Sequence, residues 1–249
     1  EAGYFSLTGE PEGPPARFGL SIVDYMSGLT MAFSLISGVL SARDKGIGRD
    51  IDVSLFDTAL FNQNYLAAWT LNSNYENERL DRSAHPVLVP CQLYKTLDGW
   101  IYLMCNKENF WPALCKYIDR EDLAKDQRFT NFKLRQEQRE LLTEILDKEL
   151  MKKKTEEWLE IFGGNVPAAP ILNVREALEN DFVKERNNIH KLKTKDNKVI
   201  NLLKTPIRFD QEEFIDSTAP ALGENNEEIY SKIGLTEKDY NILKNKGII

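Results

Sequence analysis

The feature that most constrains this fold is a run of about twenty residues starting at Asp24, in which apolar and very small side chains leave almost no polar face. Tyr25, Met26, Leu29, Phe33, Ile36, Val39 and Leu40 alternate with Gly28, Ala32, Ser34, Ser37 and Gly38 at helical spacing. A helix apolar and small on nearly every side belongs in an interior, where glycines and serines let neighbouring backbones come close. The spacing therefore predicts a buried helix from Asp24 to about Arg43, with Asp24 at its start, where a carboxylate can cap free N–H groups. Before it, Gly9 to Pro15 holds three prolines and can only be a loop.

The fold class is set by the residues just beyond this helix. Lys45-Gly46-Ile47-Gly48-Arg49 breaks it, Asp50 to Leu55 alternates like a strand, and a second helix starts near Asp57. Helix, glycine turn, strand and helix in succession predict an α/β protein. From Asn72 to Ser83 the chain turns strongly polar, as a linker does. Beyond His85-Pro86, two β-like runs, Val87 to Thr96 and Trp100 to Cys105, flank Leu97-Asp98-Gly99, a hairpin signal that relies on positive φ angles. Helices are expected at Glu108 to Tyr117, Lys133 to Leu150 and Thr155 to Phe162, the last capped by Thr155. Val166 to Pro170 reads as an extended connection into a short helix, Val174 to Glu179; strands are expected at Val199 to Leu203 and Ile207 to Asp210. Two short helices, the second started by Thr236 and ended by Gly247, fill Gly223 to Ile249.

Composition narrows function. A net charge of −7 speaks against nucleic acid or an anionic membrane as the main partner, since both require clustered Lys and Arg. Lys152-Lys153-Lys154 reads as a solvated helix end. No apolar run approaches a membrane span without interruption, and no signal peptide opens the chain. Cys91, Cys105 and Cys115 are odd in number, lack metal-ligand spacing and sit in apolar patterns, which predicts free buried thiols, a cytoplasmic location and no metal. Gly-x-Gly-x-x-Gly, Walker, His-Glu-x-x-His and Gly-x-Ser-x-Gly signatures are all missing.

Among the carboxylates, Asp50 and Asp52 read as outward-facing strand residues, and Asn62, Gln63 and Asn64 as a polar helix face. Asp24 has two readings, a structural cap or a nucleophile. Burial raises a carboxylate's pKa while helix N–H groups lower it, so an aspartate at this place can stay ionised yet poorly hydrated. That state suits attack on a thioester carbonyl.

The segments Gly3 to Pro15 and Ser21 to Leu29, followed in order by Gly48 to Asp57, Ala84-His85-Pro86, Tyr94 to Trp100, Asp126 to Phe129, Val166 to Pro170 and Ala221 to Asn225, resemble the family III CoA-transferases, the CaiB/BaiF family. The resemblance covers essentially the whole chain. It implies part of a Rossmann-like large domain plus a smaller α+β domain, in an enzyme longer than this chain, so that most of the CoA-binding surface would precede Glu1. Residues 1–60 and 186–249 would belong to the large domain, 61–84 to a linker and 85–185 to the small one, and two subunits would interlock as a homodimer.

The same resemblance assigns Asp24 as the catalytic carboxylate, which carries CoA from an acyl-CoA donor to a carboxylic acid through an aspartyl anhydride and an aspartyl-CoA thioester. CoA is substrate there and no permanent cofactor is implied. His85, Gln92 and Asn106 are weaker candidates for contacting substrate, and for His85 a purely structural role is the competing reading. Within the family, α-methylacyl-CoA racemases use the equivalent aspartate as an acid/base together with a glutamate. Lys107 aligns with that glutamate, and a shift of one residue would bring Glu108 there. A non-catalytic dimerisation fragment is the reading from outside enzymology.

Overall fold

The computed structural model describes residues 1–194, 196–210 and 218–248. Its contacts divide it into two compact units, 1–171 and 172–249. This division falls inside the stretch 85–185 expected as one small domain.

In the first unit, α1 (Ile22–Lys45) begins two residues ahead of Asp24 and ends on Gly46, whose left-handed φ of 69° lets its N–H bond the Ala42 carbonyl at 2.8 Å. The expectation that this helix is buried is overturned. Only Ser27 along it is buried, while Tyr25, Leu29, Phe33, Leu35, Ile36 and Leu40 stand in the open. The physical reason is a shortage of neighbours: α2 (Leu55–Asn62) packs against one side, and the segment before it crosses at Gly38, where a Cβ would come within 2.6 Å of Ile51 Cδ1. At 24 residues α1 is also long and apolar enough to cross a membrane by length and composition, contrary to the sequence expectation.

Residues 50–54 form no strand. Their alternation is real, but no neighbouring strand among the described residues pairs with them, and a lone strand leaves its ladder groups unbonded. Ser54 instead caps α2 by accepting from the Asp57 N–H at 3.0 Å. The stretch read as linker holds α3 (Tyr65–Ser73), whose Trp69 packs on Tyr65 and Tyr75.

The core lies beyond it. Strands β1 (Cys91–Lys95), β2 (Trp100–Met104) and β3 (Ala168–Pro170) make an antiparallel sheet in that order, with Leu93 opposite Tyr102 and Tyr102 opposite Ala169. The expected first strand is shorter than its apolar run because Val87 and Leu88 give their N–H groups to the His85 ring. The hairpin forms, but neither Asp98 nor Gly99 adopts a positive φ. A four-residue loop from Thr96 to Gly99 removes that demand, and the Asp98 carboxylate holds it by accepting from the Thr155 N–H at 2.9 Å. Val166 to Pro170, expected as a plain connection, supplies the third strand.

Of the helices that follow, α4 (Phe110–Tyr117), α5 (Glu121–Lys125), α6 (Phe132–Glu137), α7 (Arg139–Leu150) and α8 (Thr155–Phe162), α7 packs on β1 and α8 on β3, while α4 rests on α5 and α8 and α6 on α7. The long helix expected from Lys133 is broken at Gln138, whose φ of −113° and ψ of 25° let α7 set off anew. Thr155 is the first residue of α8, not its cap; the cap is Lys154, and the Thr155 hydroxyl is 2.7 Å from that of Thr96. Leu142, Leu146 and Leu150 on α7 meet Tyr94, Ile101, Leu103, Leu114, Phe129, Trp158 and Phe162 in one cluster. Cys91, Cys105 and Cys115 are buried free thiols, as expected. Burial pushes the Cys91 thiol up to about 11 and that of Cys115 up to about 12.

In the second unit, α9 (Val174–Leu178) and α10 (Asp181–Glu185) precede an antiparallel pair, β4 (Ile189–Lys193) and β5 (Val199–Leu203). Residues 207–210, expected as a strand, have no regular structure. α11 (Asn226–Lys232) and α12 (Glu237–Asn245) close the chain, and Thr236 caps α12 as the sequence predicts. Ile249 lies outside the described residues.

Candidate active site

Asp24 is the third residue of α1 and its single acidic residue in the first turn. The cap position belongs to Ser21, whose side chain makes no capping bond, so the first backbone N–H groups of the helix remain unmatched by side chains. A negative charge at this end is favoured by the helix dipole. The side chain of Asp24 is exposed, so the dry setting expected for it is not built by the described residues.

The other three candidates fall elsewhere, and no hydrogen bond, ion pair or ring contact among the described residues links them to Asp24. His85 is held at its backbone, at Nδ1 and on one ring face. Its Nδ1 accepts the Val87 and Leu88 N–H groups at 3.1 and 3.0 Å, its own N–H bonds the Cys91 carbonyl at 2.9 Å, and its ring stacks on Tyr65 with centroids 6.2 Å apart. An imidazole accepting at Nδ1 is neutral with its proton on Nε2. Burial, and then the Arg139 guanidinium, hold His85 below the ordinary histidine value.

Arg139 ties His85 to Gln92: it donates to the His85 carbonyl at 2.8 Å and to Gln92 Oε1 at 3.3 Å, while Gln92 Nε2 donates to Thr143 at 3.0 Å. Gln92 is thus buried with both ends used inside the fold. Asn106 is exposed at the end of β2. These contacts describe a framework that sets the entry to the hairpin.

Glu108 is similarly committed. Its carboxylate accepts from Arg135 at 2.6 Å and from the Phe132 N–H at 2.8 Å. Arg135 is fully buried and spends its remaining donors on the Val89 and Phe129 carbonyls at 2.7 and 2.8 Å, beneath the rings of Trp111 and Phe132.

Next to this framework is a cleft of about 520 Å³, walled by Leu7, Phe18, Tyr65, Tyr75, Leu80 and Pro86 and closed at one side by the Thr8–Gly9–Glu10 loop. Arg79 reaches across to donate to the Pro11 carbonyl at 3.1 Å, and the Arg82 N–H meets the Glu10 carboxylate at 3.2 Å. Sequence reasoning did not single out Arg79 as a lining residue, because it sits in a polar stretch whose composition reads as linker. Among the described residues, no group of three or more His, Cys, Asp or Glu is placed to hold a metal.

Comparison with known proteins shows the family. The family model for CoA-transferase family III matches residues 1–226. An acyl-CoA transferase of Fusarium pseudograminearum is 30% identical over 254 residues, covering 100% of this chain and 55% of its own length. A succinate–glutarate CoA-transferase of Agrobacterium fabrum is 27% identical, covering 95% of this chain and 60% of its own length. A CAIB/BAIF family protein from Brucella suis has a solved structure that matches with a TM-score of 0.75 at 28% identity, over 93% of this chain and 60% of that one. The chain therefore spans 55 to 60% of the length of these relatives.

Proposed function

This chain belongs to CoA-transferase family III, and on that premise we propose that the whole protein moves coenzyme A from an acyl-CoA donor to a carboxylic acid, with Asp24 as the carrier. The observation that carries this reading is the carboxylate of Asp24 in the first turn of α1, beside backbone N–H groups that no side chain caps.

An Asp24 oxygen attacks the donor thioester carbonyl, the C–S bond breaks, and CoA leaves as a thiolate, giving a mixed anhydride. The thiolate then attacks the aspartyl carbonyl, releasing the donor acid as its carboxylate and forming an aspartyl-CoA thioester. The acceptor carboxylate displaces the thiolate from that thioester, and the thiolate takes the acceptor acyl group, which frees Asp24 as the anion it began as. No proton is gained or lost over the cycle. Dividing one exchange among several low barriers is the gain of covalent catalysis, and helix N–H groups near the reacting oxygens stabilise the charge that develops on them.

A carboxylate reacts well with a thioester only when poorly hydrated. Because Asp24 is exposed here and the chain spans little more than half of its relatives, the desolvating wall in this proposal is supplied from outside these residues. A homodimer is one source of it. A cytoplasmic setting accords with the three buried free thiols.

Epimerisation through a glutamate base is less well supported, since Lys107 occupies the aligned position and the Glu108 carboxylate is already bound by Arg135 and the Phe132 N–H. The full-length protein, incubated with succinyl-CoA and a panel of dicarboxylates, is expected to exchange CoA and to build a hydroxylamine-sensitive adduct on Asp24; Asp24→Ala loses both. Exchange that survives Asp24→Ala, or α-proton exchange with solvent deuterium in place of transfer, would falsify the scheme.

A further inference from the structure

Val87 and Leu88 give their N–H groups to one atom, Nδ1 of His85, at 3.1 and 3.0 Å, and neither amide has another acceptor among the described residues. A ring turned over would set Cδ2–H against both donors, so the orientation of the imidazole follows from these bonds. Turns of this kind are ordinarily closed by an Asn or Asp side chain, whose oxygen still accepts in mildly acid solution. An imidazole does not. With its proton on Nε2, the ring can take a second proton only at Nδ1, the atom already in use, and an imidazolium accepts no hydrogen bond.

The ends of the turn are fixed by other means. The His85 N–H bonds the Cys91 carbonyl at 2.9 Å, Arg139 and Gln136 donate to the Pro86 carbonyl at 3.3 and 2.9 Å, and Val89 is wholly buried. Between them, the two amides depend on the ring alone. Pro86, at the head of the turn, lines the cleft of about 520 Å³ on one side and, on the other, a second hollow of about 510 Å³ along Gln136 to Leu141.

Charge around the ring favours release. Of the titratable or charged groups on the elements packed against His85, the Tyr65 phenol comes from α3, the Arg139 guanidinium from α7 and Cys91 from β1, while Glu10, Glu78 and Arg79 line the neighbouring cleft. Among the described residues no carboxylate is hydrogen-bonded or paired with His85 or Arg139. A proton on the ring therefore sets a second cation beside an arginine that has no counter-ion. The ring is only half-buried, so solvent protons reach it.

We propose that His85 is an acid-released latch: a proton from solvent on Nδ1 frees the Val87 and Leu88 N–H groups and loosens the wall that the two hollows share, while the core stays folded. The device needs no substrate and stands apart from the transfer reading.

Hydrogen–deuterium exchange on the full-length protein at pH 7 and pH 5, corrected for the intrinsic pH dependence of amide exchange, tests it. Protection over residues 86–89 should fall about three- to tenfold on acidification, and that over 142–150 of α7 should stay the same. His85→Asn offers a side-chain oxygen to the same two amides and does not titrate, so its protection over 86–89 should be equal at the two pH values. Equal protection of the unaltered protein at both pH values overturns the proposal, and that measurement needs no variant to fold. An acid loss of the same size in His85→Asn also overturns it, as does a loss shared by 142–150, which reports general unfolding and not a latch.

Discussion

At the scale of single residues, the first unit hangs on side chains that look ordinary in sequence. Arg135 is one of six charged residues between Arg128 and Glu140, and nothing marks it as the one that is wholly enclosed. Its removal strands two buried carbonyls and leaves Glu108 without its ion pair, so Arg135→Leu is expected to cost about 3 kcal/mol, read as a lower urea midpoint with unchanged slope. His85 offers a check by pH. Its folded-state pKa is depressed below 6.5, so the stability it contributes is complete above 6.5 and is lost as pH falls towards the lowered folded value. The gap in urea midpoint between the unaltered chain and His85→Asn should accordingly narrow between pH 7 and 5. An imidazole that titrates at or above 6.5 by NMR contradicts this. The candidate site was legible in part at this scale: position alone left Asp24 open between a helix cap and a nucleophile, and only the family resemblance singled it out, because a carboxylate in a first helical turn looks the same in either role.

Elements were read from periodicity, and they held where periodicity alone decides the outcome. The stripe Leu142, Leu146 and Leu150 became α7, and these three side chains are fully buried. Leu146→Ala should destabilise the first unit by about 3 kcal/mol, visible in a thermal or urea melt. Residues 50–54 show the opposite case, for alternation states which faces a strand would have and nothing about whether a partner strand is present. The break at Gln138 and the cap of α8 also escaped, although the bounds of α8 were read correctly, because each depends on a local turn and not on the spacing of apolar residues. Asp98→Ala removes the acceptor of the Thr155 N–H and is expected to lower the melting temperature while the hairpin register from Cys91 to Met104 is retained, as cross-strand NOEs would report.

For the molecule as a whole, apolar surface is the salient property. The outward side chains of α1 make a stretch of exposed hydrophobic surface far longer than scattered single residues would, and such surfaces mark contact sites. Residues 1–249 expressed alone should therefore elute ahead of their 28.6 kDa mass on size exclusion and bind a hydrophobic dye, with Phe33→Glu and Leu40→Glu together restoring the monomer. The sequence did announce this helix as one for an interior, and its failure to find one here is a matter of neighbours, not of pattern.

In the function proposed above, the nucleophile and the apolar flank of α1 are parts of one rod. On that proposal, a surface that docks along the flank and reaches the head of the helix would strip water from the carboxylate, and assembly and reactivity would be thermodynamically linked through a single helix. A change at a distant docking residue could then slow turnover with every reacting atom left in its place.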